Sequence, residues 1–166
     1  MLKIIERDKS FVSGYKEYCQ EFYDHNIFTF RPTNPARIDD TWFERTFDWY
    51  ASKKNSYHYW AVDGDRFIGE FQLRTELTDE IIAGMGSIGY SVRVTEQGKG
   101  YGKELLRQGL DIARSYALEK VLMTISDTNF VSAHICESFG GVLMDKTTVT
   151  TEGEGEHLIR RYWIYL

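Results

Sequence analysis

Three glycines at every second position, in Gln97-Gly98-Lys99-Gly100-Tyr101-Gly102-Lys103, constrain this chain most. Ahead of them, Ser87 to Val94 alternates, with Ile88, Tyr90, Val92 and Val94 on one face of a strand. After them, Leu106, Leu110, Ala113 and Ala117 recur at the spacing of one helix face. The order is strand, glycine loop, helix. Glycine tolerates positive φ and lacks the Cβ that would keep a ligand off the backbone. The loop's amides, joined to the unpaired first-turn N–H groups of the helix, make a site for phosphate oxygens. Lys99 and Lys103 bring positive charge beside it.

Two nucleotide motifs fit this loop badly. A Walker loop needs four residues between its first glycine and Gly-Lys, then Ser or Thr, whereas Lys103 precedes Glu104. The dinucleotide fingerprint needs two residues between its last glycines, and one separates Gly100 from Gly102.

The 166 residues suit one domain, 1–166, with a real core. Asp plus Glu outnumber Lys plus Arg by 25 to 20, which weighs against nucleic acid or an anionic membrane as partner. No apolar run approaches the roughly 18 residues of a membrane span. Met1 to Arg7 enters a strand-like segment directly and lacks the shape of a signal peptide. Cys19 and Cys136, far apart, read as reduced thiols of a cytoplasmic protein, not as a disulfide framework or a metal site.

The rest of the chain supplies a flanking α/β framework. Leu2 to Glu6 reads as a strand and Ser10 to about Asp24 as a helix. Residues from His25 to Arg37 are irregular, broken by Pro32 and Pro35. A second helix runs from about Asp39 to Lys53, capped by Asp40 or Thr41. Tyr57–Val62 and Arg66–Arg74 form a hairpin around Asp63-Gly64-Asp65. In its second strand, Phe67, Gly69, Phe71 and Leu73 take one face and Ile68, Glu70, Gln72 and Arg74 the other. An acidic connection, Thr75 to Met85, holds room for a short helical turn. Lys120 to Ser126 has the continuous apolar run of a buried strand. A helix follows from Asp127-Thr128-Asn129 to about Phe139, closed by Gly140-Gly141. Strands at Val142–Thr151 and His157–Tyr165 flank a solvated acidic turn.

Gln97-x-x-Gly100-x-Gly102 resembles the pyrophosphate loop of the GNAT acetyltransferases. The likeness extends from Val92 to Gly141, with Asn129 opening the helix after the next strand, Ser132 a turn on, and Glu137 and Gly140 at the family's second motif. The ending Arg160-Arg161-Tyr162-Trp163-Ile164 and Leu73-Arg74 resemble a bacterial branch of predicted acetyltransferases, which brings no substrate. The resemblance implies a mixed α/β (α+β) fold: a central sheet of about seven strands, about four flanking helices and a splayed parallel strand pair. It implies acetyl coenzyme A as co-substrate and no metal. The cofactor contacts would be Val92 and Val94 through backbone, the loop from Gln97 through Gly98, Lys99, Gly100, Tyr101 and Gly102 to Lys103, and Asn129 and Ser132. Each has a plainer reading too: Asn129 as a helix cap, Ser132 as a surface residue, the lysines as solvated, Tyr101 as a cover for the core.

The implied reaction is acetyl transfer to a primary amine of a small molecule or peptide, which must lose a proton before attack. The family's usual base positions fall on Gly86 and Thr124, which cannot serve. Glu70 is the candidate base, on a polar strand face with Gln72 and Arg74 that is costly unless it lines a cleft or faces solvent. Tyr90, on the strand before the loop, is a second catalytic candidate. Cys136 is the third: it stands where many relatives carry an acidic Tyr, and packing is its commoner role. The missing family base keeps a non-catalytic acetyl-coenzyme-A sensor open as an alternative, with a purely structural protein behind it. A homodimer is also left open.

Overall fold

A computed structural model describes residues 1–27, 33–151 and 155–166. Residues 28–32, within the stretch expected to be irregular, and residues 152–154, within the expected acidic turn, lie outside the described residues. The chain forms two compact units: Met1–Gln72 with Tyr90–Leu105, and Leu73–Gly89 with Leu106–Leu166.

The first unit begins with β1 (Leu2–Glu6), which pairs antiparallel with β2 (Ser56–Asp63) in the register Ile4 to Ala61. Between them lie α1 (Val12–Asp24) and α2 (Trp42–Ala51). A 3₁₀ turn at Lys9–Phe11 starts α1, and the Asp8 carboxylate accepts from Ser10 N and Oγ at 2.8 Å each. One face of α1 buries Tyr15, Tyr18, Cys19 and Phe22. Thr41 stands at the N-cap of α2 but its side chain caps no amide there; the turn before it is secured by Asp39, whose carboxylate accepts from Thr41 N and Oγ1 at 2.9 Å each. The core that results is aromatic. Tyr15 stacks on Trp42 at 4.9 Å and on Trp60 at 5.2 Å, and Phe67 meets it edge-on at 5.5 Å. Such pairs add directional preference to the area they bury.

β3 (Arg66–Arg74) follows β2, and β4 (Ile88–Val92) completes a four-stranded sheet in the order β1-β2-β3-β4. Phe67 and Glu70 both reach Tyr18. Gly69, between them, comes close to β4: an added Cβ there would stand 2.0 Å from Ser91 O. Only a bare backbone permits that approach.

The second unit contains a three-stranded sheet, β5-β7-β6, from β5 (Lys120–Ser126), β6 (Val142–Thr151) and β7 (Gly155–Tyr165). β7 runs antiparallel to both neighbours, and a bulge lies between Leu143 and Asp145. The expected seven strands are present as two sheets instead of one ladder. Within this unit Ser87 N donates to Leu122 O at 2.6 Å, and Leu122 N donates to Ser87 Oγ at 3.0 Å. Just before it, Gly86 has φ +69°, and a Cβ there would lie 3.0 Å from Leu122 O and 3.1 Å from Thr124 N. The acidic connection ends in a single π turn, Ile81–Met85. The chain passes from one unit to the other within β3, β4 and α3 (Tyr101–Ser115). α3 buries Leu105, Leu106, Leu110 and Ala113 and exposes Arg107, Asp111 and Arg114, which pair one turn apart. α4 (Phe130–Ser138) completes the set.

Candidate active site

The glycine loop lies in the first unit and has the backbone its sequence calls for. β4 ends at Val92, and Val94 stands not in the strand but in a 3₁₀ turn, Val94–Glu96. The Gln97 side chain folds back and donates to Val92 O at 3.1 Å, while Gln97 N donates to Val94 O at 3.3 Å. Gln97 therefore ties off the strand end. Gly98 and Gly100 take φ +78° and +86°, and an added Cβ at either would meet nothing within 4 Å. α3 starts at Tyr101, and Glu104 N donates to Gly100 O at 3.2 Å. The amides of Tyr101, Gly102 and Lys103 lie ahead of that bond, at the positive end of the helix dipole. This is open space faced by backbone donors, and it fits a pyrophosphate.

The charged residues around the loop serve its anchoring. Lys99 Nζ donates to Glu96 at 3.1 Å, and Arg66 also pairs with Glu96. Burial works against the Glu96 charge, but the Lys99 bond and the charges of Arg66 and Lys99 outweigh it and hold the carboxyl below its usual range. Tyr101 OH donates to Asp63 Oδ2 at 2.8 Å, pinning the loop to the β2–β3 turn. Lys103 is exposed. A further clamp gave no motif in the sequence. Arg93 donates to Glu21 through Nε at 2.9 Å and Nη2 at 2.5 Å, and to Phe67 O at 3.2 Å. Glu21 also accepts from Thr95 N at 3.2 Å and Thr95 Oγ1 at 3.0 Å, so α1 holds the approach to the loop.

Glu70 occupies the polar end of the aromatic core. It keeps some accessible surface, yet dense surroundings raise its carboxyl from 4.5 to about 7. Burial is the main cause; the hydrogen bond from Tyr18 and the charge of Arg7 oppose it. Tyr18 OH lies 3.3 Å from Glu70 Oε2 and 2.5 Å from Ser91 Oγ. Glu70 is thus held from α1 through a tyrosine that β4 also holds. Gln72, two residues on, contacts His58 Nε2 at 2.7 Å and donates to Ser56 Oγ at 3.1 Å. Tyr90 is half-buried in β4. Neither Tyr18 nor Ser91 was legible as a partner: Tyr18 counts as one more apolar residue of an amphipathic helix until its hydroxyl finds a carboxylate.

The remaining sequence candidates belong to the second unit. Asn129 caps α4, its Oδ1 accepting from Ser132 N at 3.0 Å, which realises the plainer of its two readings. Cys136 is fully buried, and burial, with Glu137, pushes its thiol up to about 12. The backbone of Gly141 packs against it: a Cβ there would stand 2.5 Å from Sγ. His134, two residues earlier, is exposed. The structure thus gathers the loop, Glu70 and Tyr90 in one unit and places Asn129, Ser132 and Cys136 in the other. Among the described residues, no group of three His, Cys, Asp or Glu could hold a metal ion.

Comparison with known proteins identifies the domain that carries these residues. The sequence profile of the acetyltransferase (GNAT) domain matches residues 11–142, which takes in parts of both units. No curated protein matches the chain. Among solved structures, a chimera of the spermidine N-acetyltransferase SpeG from Vibrio cholerae and hSSAT aligns with TM-score 0.71 at 14% identity, covering 99% of this chain and 94% of its own. RimL, a ribosomal L7/L12 alpha-N-protein acetyltransferase in complex with coenzyme A, gives 0.71 at 13% identity, over 99% and 94% of the two chains. A protein from Salmonella typhimurium, yncA, with its cofactor acetyl-CoA, gives 0.65 at 19% identity, again over 99% and 94%. At such identities the likeness shows a shared fold.

Proposed function

Because this chain belongs to the GNAT acetyltransferase family, we propose that it transfers an acetyl group from acetyl coenzyme A to a primary amine of a small molecule or peptide, by direct attack in a ternary complex. When bound, acetyl coenzyme A would supply an activated acyl thioester. The chain's own residues supply the rest. The 97–103 loop and the first turn of α3 would hold the pyrophosphate, since Gly98 and Gly100 leave open space there. Glu70 would accept the proton that the amine must lose. An alkylammonium releases its proton near 10.4, so at neutral pH the acceptor arrives charged. A general base works best when it titrates near the working pH, and Glu70 does so at about 7. The observation that carries the proposal is the open 97–103 loop of a GNAT domain, with the partly accessible Glu70 carboxyl, held by Tyr18, on the strand beside β4. Tyr18, fixed by Ser91, would orient it.

The SpeG neighbour acts on spermidine and RimL on a protein α-amine, which supports an amine acceptor of either size. The net charge of −5 favours a cationic one. Among the described residues no helix is long and apolar enough to cross a membrane. The free thiols of Cys19 and Cys136 suit a reducing cytoplasm.

Two measurements test the proposal. Coenzyme A should raise the melting temperature, because a ligand selective for the native state stabilises it by mass action. Incubation with acetyl coenzyme A and a panel of amines and peptides should release thiol, and Glu70→Gln should lower that turnover more than it weakens coenzyme A binding. Binding without thiol release from any acceptor would favour the sensor; no binding would remove both readings.

A further inference from the structure

Arg7, just past β1, is a buried cation with unusual surroundings. Its guanidinium carbon lies 4.3 Å from the Tyr50 ring centre, 5.2 Å from Trp42 and from Trp60, and 5.4 Å from Phe43. Nη2 donates to Thr46 Oγ1 at 3.0 Å, while the enclosed Nη1 has no hydrogen-bond partner. A guanidinium keeps its proton at any ordinary pH, so this charge is permanent. Ring quadrupoles offset part of its desolvation, and a buried charge calls for a countercharge as well. The carboxylate whose charge acts on Arg7 is Glu70. It acts through space, since the side-chain bond of Arg7 goes to Thr46.

The two groups share one set of rings. Tyr15 stacks on Trp42 and Trp60, which also flank Arg7, and lies 5.7 Å from Tyr18, whose hydroxyl bonds Glu70. Material of this kind screens charge poorly, so a cation embedded in it reaches further than one in water. We propose that Arg7 is a positioning residue whose caged charge favours the ionised form of the Glu70 carboxyl against its burial, without itself touching the acceptor. The functional weight of this inference rests on the reading of Glu70 as the base.

The other groups that face Glu70 cannot do this. Tyr15, Tyr18 and Cys19 on α1 and Tyr50 on α2 are held neutral by burial. Ser91 on β4 reaches it only through Tyr18, and His58 on β2 is engaged with Gln72. Aromatic packing alone would also accept a methionine at position 7, which fills similar space without charge. The distinction is therefore testable by titration.

The experiment titrates Glu70 by carboxyl carbon NMR in glutamate-labelled protein, with Glu70→Gln assigning the signal. It compares the parent with Arg7→Met, which removes the charge, and Arg7→Lys, which keeps one. The expected midpoint is near 7 in the parent, higher by roughly one on the pH scale in Arg7→Met, and close to the parent in Arg7→Lys. The acid limb of kcat/KM should move with it, while the thermal shift by coenzyme A stays unchanged. An unmoved midpoint in a folded Arg7→Met overturns the proposal. So does an Arg7→Lys midpoint displaced as far as that of Arg7→Met, since packing would then be the cause. If Arg7→Met does not fold, Arg7→Gln takes its place, and a parent Glu70 still protonated at pH 9 overturns the proposal with no variant at all. A midpoint that moves while the rate profile stands still retires Glu70 as the base and leaves the link between the two charges intact.

Discussion

Glu70 should make this protein less stable at the pH where it is useful. In the unfolded chain a glutamate titrates near 4.5; in the fold Glu70 titrates at about 7. Between those values the folded state holds a proton that the unfolded state has released. Stability then falls as pH rises through the window, and the full cost is present above pH 7. At about 1.4 kcal/mol for each pH unit, the cost is about 3 kcal/mol. Glu70→Gln keeps the shape and cannot ionise, so its stability relative to the parent should climb by that amount between pH 4.5 and 8. Other titrating groups act in both proteins and cancel in the difference. Urea unfolding followed by tryptophan fluorescence at pH 5, 6, 7 and 8 would read it. With a urea slope of about 1–3 kcal/mol/M, the gap between midpoints should open by about 1–3 M. A gap that stays constant with pH, or widens toward acid, would refute the account of Glu70 as a buried, strained carboxyl.

Three further outcomes are expected. Gly69→Ala should cost about 2–3 kcal/mol, seen as a lower melting temperature, because its Cβ would lie 2.0 Å from Ser91 O and overpack a strand pair. Unchanged melting would mean that β3 and β4 part easily. Gly100→Ala should cost about 1–2 kcal/mol from the left-handed backbone at φ +86° and should weaken the thermal shift by coenzyme A; a full shift would remove the loop assignment. Cys136→Ala should turn over within about tenfold of the parent, because the buried thiol packs on Gly141 and general acid help is worth about 10²–10⁴ where it operates. A hundredfold loss with coenzyme A affinity intact and Cys136→Ser active would make the thiol the acid.

The loop was legible because its physics is local. Positive φ at Gly98 and Gly100 and a helix starting at Tyr101 depend on residues in sequence contact. Helices and strands with strong periodicity followed for the same reason, down to the short turn at Ile81–Met85. What stayed hidden depends on residues far apart in the chain. The clamp of Arg93 on Glu21 spans 72 positions, and Tyr18 reaches Ser91 across 73. Neither charge nor hydroxyl carries a mark of its future partner. The polar face of β3 was legible from Glu70 to Arg74, where half-buried polar residues alternate with buried Phe71 and Leu73, but alternation could not show how closely Gly69 approaches Ser91. Asn129 shows the converse: its place at the start of α4 was legible, and its Oδ1 caps Ser132 N there. Arg7 gave no signal at all, since an arginine after a short strand reads as surface.

Gly86 bears on the history open to this chain. Its positive φ and the nearness of Leu122 O and the Thr124 backbone strain and crowd any side chain placed there. In the GNAT proteins that the sequence resembles, that position is a usual seat for the base. A glutamate could return there by one codon change, but it would arrive on a strained backbone against a crowded strand junction, so the carboxyl and the damage to the junction would come together. On the reading of Glu70 as the base, such a chain gains more from refining a carboxyl already seated on β3 than from restoring one at Gly86.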